Sequence, residues 1–156
     1  MRRMFGKILV AVDGSEPSNH ALNYALEIAD RWSSELTILV VVPRVMMPIF
    51  PDEGFGSAPI TAYGDMGQYY DRMRSVYQNV LDEAVKQAQE RYPKVKIVPR
   101  LDEGRPSSVI VSAAEKDGVD LIVMGSRGIG GITGWILGST SRRVVESCTK
   151  PILIIK

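Results

Sequence analysis

The sequence predicts an α/β protein built on an open, five-stranded parallel sheet with helices on both faces. Short runs rich in Val, Ile and Leu alternate with helical patterns from end to end, five runs in all. These runs are nearly continuously apolar, as expected of strands buried on both faces, and sheets of that kind are parallel. At 156 residues and with no internal repeat, the chain is expected to form one domain over 1–156.

Lys7–Val12 is the first strand, closed by Asp13-Gly14-Ser15. Pro17 suits a first helical turn, and Ala21, Leu22, Ala25, Ile28, Ala29 and Trp32 then share a face at helical spacing. Asp13 can be read as the cap of that helix, but Ser15 and Ser18 are better candidates, which leaves Asp13 freer for a ligand. Glu35–Val42 is the second strand, ended by Pro43. Residues 44–67 hold prolines at 48, 51 and 59, glycines at 54, 56, 64 and 67, and no periodicity. They read as a long irregular insertion, a lid or a partner contact, because Met46, Met47, Ile49, Phe50 and Phe55 are too apolar for simple disorder.

A long helix follows, with Tyr70, Met73, Tyr77, Val80, Leu81, Ala84 and Ala88 as its core stripe and Tyr92-Pro93 as its end. Val95–Leu101 is the third strand. Gly104-Arg105-Pro106 opens a helix that turns Val109, Ile110, Ala113 and Ala114 inward until Gly118 stops it. Asp120–Met124 is the fourth strand. Ser139–Cys148 is the fourth helix, with Val144, Val145 and Cys148 on one face, and Pro151–Ile155 is the last strand, at a sheet edge.

Composition narrows the function. Nineteen basic against 18 acidic residues leave a formal charge of +1, too little for a nucleic-acid or anionic-membrane surface. No run approaches a membrane span, and the basic N-terminus lacks the apolar segment of a secretory signal. Cys148 and His20 are the only residues of their kinds, so no internal disulfide, C-x-x-C site or Ser–His–Asp set is expected. A reducing, cytoplasmic setting follows. Cys148 reads as a small core hydrophobe and His20 as a surface helix residue.

The most informative stretch runs from Val123 to Pro151. The fourth strand ends in Gly125-Ser126-Arg127-Gly128, and nine residues later Gly138-Ser139-Thr140 opens a helix. Glycines let main-chain N–H groups turn inward, and a helix start adds unpaired donors and a positive dipole end, a combination suited to phosphate. A P-loop is excluded, since no lysine lies between Gly125 and Lys150. A dinucleotide fingerprint is excluded as well: Gly128 and Gly130 are followed by Thr133, and the first strand–helix turn holds one glycine.

The G-x2-G-x9-G-[ST] spacing resembles the signature of the universal stress protein family, in its ATP-binding branch. A-V-D-G-S-E-P-S after the first strand, the G-x-P start of the third helix, D-L-I-V-M-G and the closing C-T-K-P-I-L-I-I agree with it. The resemblance spans the chain apart from about residues 44–67. It implies an adenine nucleotide alpha hydrolase-like, Rossmann-like fold with strand order 3-2-1-4-5. It also implies ATP across the carboxyl ends of the first, second and fourth strands. Ala11, Val12 and Val41 would hold the base edge, with Met124 beside it. Asp13 would hold the ribose hydroxyls or help seat Mg²⁺ or Mn²⁺ with the phosphates. Gly125, Arg127 and Gly128 would wrap the phosphates through main-chain N–H groups, and Gly138, Ser139 and Thr140 would cap them. The resemblance further implies a homodimer joined by antiparallel pairing of Pro151–Lys156.

Three functions remain: a nucleotide-dependent regulatory or stress-response switch, an interaction scaffold that binds no nucleotide, and an ATP-hydrolysing enzyme. The H-x-G-H and S-G-G-x-D-S signatures of related nucleotidyl-transferring enzymes are absent. No catalytic set is assembled, so hydrolysis is expected to be slow at most.

Overall fold

The computed structural model describes residues 3–44, 61–128 and 137–156, without the side chains of 61–65. Its elements are β1 (Lys7–Ala11), α1 (Glu16–Trp32), β2 (Glu35–Pro43), α2 (Thr61–Arg91), β3 (Lys96–Gly104), α3 (Pro106–Lys116), β4 (Leu121–Gly125), α4 (Ser139–Ser147) and β5 (Ile152–Ile155). All strand pairs are parallel, in the order β3-β2-β1-β4-β5. Fold class and strand order are therefore as expected.

Alternation along the strands builds two cores. Ile8, Val10, Leu36, Ile38 and Val123 face α1 and α2, which add Leu22, Leu26, Leu81 and Ala88. Leu9, Leu39, Ile122 and Met124 face α3 and α4, which add Ile110, Ala113 and Val144. Each fully buried large aliphatic side chain contributes roughly 1.5–3 kcal/mol. The winding reverses between β1 and β4, and this opens a crevice at the carboxyl ends of these two neighbouring strands.

Several local expectations need correction. The irregular stretch expected over 44–67 is shorter at its far end, because α2 already begins at Thr61. Gly64 and Gly67 lie within that helix rather than breaking it; residues 45–60, with Met46–Phe55, lie outside the described residues. The third strand runs on to Gly104, because β2 offers it a partner at every position through Pro43. Trp32 is 43% exposed and Val145 44% exposed, so neither belongs to the core stripe assigned to it. Trp32 instead packs edge-on against Phe5 at 5.3 Å, while Leu26 is fully buried on α1. Among the described residues no helix is long and apolar enough to cross a membrane.

Candidate functional site

The turn from β1 into α1 is held by local hydrogen bonds. Ser15 is the N-cap: its Oγ accepts from Ser18 N at 3.3 Å. Pro17 occupies the first turn. Ser15 also donates to Asp13 Oδ1, from its N at 3.0 Å and from its Oγ at 2.5 Å. Ser18 Oγ accepts from Asp13 N at 3.3 Å and donates to Ser15 O at 2.9 Å. The serine cap is as expected, but it does not release Asp13: the same serine fixes one carboxylate oxygen. Gly14 has φ +85, and Val80 of α2 lies 3.3 Å from where its Cβ would be. That close approach seats α2 on the turn.

Each described glycine of the G-x2-G-x9-G spacing has a steric reason. A Cβ on Gly125 would meet Pro17 C at 2.8 Å and Ser18 N at 3.0 Å, so this glycine lets the start of α1 lie on β4. A Cβ on Gly128 would fall 2.6 Å from Asp13 Oδ2, which brings the loop after β4 against the β1 turn. A Cβ on Gly138 would lie 3.2 Å from Ser126 O. Gly138 N donates to that same oxygen at 2.6 Å, and Ser141 Oγ donates to it at 2.8 Å. The start of α4 is thereby pinned to the end of β4. The N–H of Gly138 is spent on this contact, so its part is positional. Gly138 is the N-cap of α4 and no side chain caps the helix, which leaves the first turn, beginning with Ser139 and Thr140, turned toward the opening.

A cleft of about 730 Å³ lies over these strand ends. All the residues expected at the site line it. Ala11, Val12, Asp13 and Val41 line it from the ends of β1 and β2, Met124 and Gly125 from the end of β4, and Arg127, Gly128, Gly138, Ser139 and Thr140 from the loop after β4 and the start of α4. Residues 129–136, between the two glycine turns, lie outside the described residues. The lining also holds side chains that sequence reasoning missed. Tyr77 comes from α2, Pro106 and Ile110 from α3, and Arg142, Arg143 and Glu146 from α4. Helical spacing carried part of the last signal, since Ser139, Arg142, Arg143 and Glu146 recur at three and four residues. Tyr77, read as core, does pack half-buried against the core beneath α2, and it also borders the cleft. Burial first, then the negative charge of Asp13, raises its phenol above the ordinary tyrosine value and keeps it a donor.

The cleft therefore pairs an apolar shelf with a donor-rich, cationic rim. Among the described residues no group of three or more His, Cys, Asp or Glu could hold a metal by itself. Asp13 alone would suit a hard cation that takes its remaining oxygens from phosphate and water.

The sequence profile of the universal stress protein family matches residues 4–156. The chain belongs to that family. The universal stress protein YxiE of Bacillus subtilis is 32% identical over 98% of this chain and all of its own length. Universal stress protein UspA from Lactobacillus plantarum superposes with a TM-score of 0.76 at 24% identity, covering 97% of this chain and 98% of its own. A further universal stress protein, 25% identical with a TM-score of 0.64 over 97% of both chains, was solved in complex with cAMP.

Proposed function

We propose that this universal stress protein binds ATP, with Mg²⁺ or Mn²⁺, and works as a nucleotide-dependent regulatory or stress-response switch with at most slow hydrolysis. The observation that carries the reading is convergence. The turn after β1, with Asp13, lies more than a hundred residues from Gly125–Gly128 and Gly138–Thr140, yet all three meet over the ends of β1 and β4 around one cleft. A family member solved with cAMP adds support for an adenine nucleotide.

Ala11, Val12, Val41 and Met124 offer apolar surface for the base. Asp13 is braced by Ser15 so that it can receive ribose hydroxyls or a divalent ion. Main-chain N–H groups of Arg127, Gly128, Ser139 and Thr140 would face the phosphates, where the α4 dipole favours negative charge. The bound divalent ion would neutralise phosphate charge. Among the described residues no side chain of the lining forms a nucleophile–base pair, and the reading is accordingly a switch rather than an efficient hydrolase. A cytoplasmic setting and a homodimer through Pro151–Lys156 belong to the same proposal, the latter because β5 lies at the sheet edge.

The test is direct. Protein purified without added nucleotide is denatured and the released small molecules are identified by mass spectrometry, alongside calorimetry with Mg-ATP. Near-stoichiometric ATP, or a saturable heat, supports the reading. Neither would leave the scaffold function.

A further inference from the structure

The face that α4 turns to the cleft is Ser139, Arg142, Arg143 and Glu146, one stripe at three- and four-residue spacing. Arg127 joins the same lining from the loop after β4. Among the described residues none of these three guanidiniums has a carboxylate within 4.0 Å, whereas Arg31, Arg74 and Arg100 each do. Glu146 stands one turn from both helix arginines and makes no ion pair with either. Two further charged or titratable groups face this space: Asp13, held by Ser15, and Tyr77, a neutral phenol.

This arrangement is unfavourable in the protein alone. Arg142 N donates to Gly138 O, so its side chain leaves the first full turn of α4. No acidic residue lies in that turn. Cations near a helix N-terminus oppose the dipole, and like charges that line one cleft repel. A polyanion in the cleft relieves both. A single phosphate, or a cyclic phosphodiester, could be met by main-chain donors of the glycine turns alone. Arginines further along the helix gain a partner only if the anion extends beyond that point.

We propose that Arg142 and Arg143, with Arg127, make the cleft selective for nucleotides carrying a linear polyphosphate over nucleoside monophosphates and cyclic nucleotides. The inference rests on the adenine-nucleotide reading and adds to it the residues that read phosphate chain length. Both helix arginines are solvent-exposed, so neutral replacements leave the fold intact.

The experiment is calorimetry of ATP, ADP, AMP and cAMP at fixed magnesium and salt, on the wild type and on Arg142→Gln, Arg143→Gln and the double variant. Circular dichroism reports the fold. The wild type binds ATP most tightly, ADP next, and AMP and cAMP most weakly. Each substitution weakens ATP roughly fivefold, as a partly exposed charge-assisted contact does, and leaves AMP within about twofold. The double variant flattens the series and shows a shallower salt dependence for ATP. Glu146→Gln, which removes the carboxylate on the stripe, tightens ATP binding. A series unchanged in the double variant, or cAMP bound as tightly as ATP by the wild type, overturns the inference and leaves the nucleotide reading standing. A wild type that binds no nucleotide overturns both.

Discussion

Gly125→Ala separates the steric account of the glycine motif from an account in which its glycines serve only a ligand. The added methyl would sit 2.8 Å from Pro17 C, 2.9 Å from Pro17 Cβ and 3.0 Å from Ser18 N. Two of these are backbone atoms at the start of a helix, so rotation of a side chain cannot clear them. Relief to ordinary carbon contact, near 3.5 Å, requires α1 to lift from β4 by roughly 0.7 Å. Overpacking of this kind costs about 1–3 kcal/mol. For a domain of this size the melting temperature then falls by roughly 3–10 °C. The lift also strains the contact between Asp13 N and Ser18 Oγ, so Mg-ATP affinity falls with it. Thermal melts and urea midpoints by circular dichroism, in the absence of nucleotide, are the assay. A melting temperature within about 1 °C of the wild type would refute the reasoning, since it would mean that α1 does not press on this strand.

Gly128→Ala makes the contrasting case: the new methyl meets a terminal side-chain oxygen of Asp13 rather than backbone, so stability falls less than in Gly125→Ala. Calorimetry then shows weaker Mg-ATP binding; unchanged affinity would argue against Asp13 and this loop acting together. Glu35 accepts a hydrogen bond from Lys96 Nζ at 2.5 Å, and this bond, followed by the charges of Lys96 and Lys7, holds its carboxyl below the ordinary value of 4.5 against partial desolvation. A lowered folded-state value stabilises above the unfolded value and is lost as pH falls through the folded one. Glu35→Gln therefore lowers the unfolding free energy from urea melts at pH 7 by up to about 1 kcal/mol, and by progressively less as pH falls toward about 2. Equal effects at both pH values contradict that. Ile154→Lys places a charge on β5 and yields monomers in light scattering while the circular dichroism spectrum is retained. Wild-type protein that is monomeric at tens of micromolar removes the basis for the dimer.

The architecture was legible because the strands carry it locally. Val40, Val41 and Val42, or Ile122 and Val123, are apolar on successive positions and leave a doubly covered sheet as the solution. Helix ends were legible where a cap is a short-range device, as at Ser15, and misread where tertiary packing overrides a punctuating residue, as at Gly64 and Gly67 within α2. Trp32 was misplaced because periodicity does not show how far along a helix the sheet extends. At the site, spacing marked backbone segments that line one cleft, but it held no sign that Gly125 and Gly138 also have steric reasons to lack a side chain. Gly125 answers to Pro17, more than a hundred residues earlier in the chain, and no local pattern records that contact. Tyr77, Arg142 and Arg143 became lining residues only once α2 and α4 had been seated on the sheet.

A crystal structure of the protein grown with ATP and magnesium tests the central claim most directly. It should show the base against Val41 and Met124, and the phosphates at the start of α4 and the loop after β4. Nucleotide bound elsewhere, or a cleft closed by the protein's own side chains, would contradict the account.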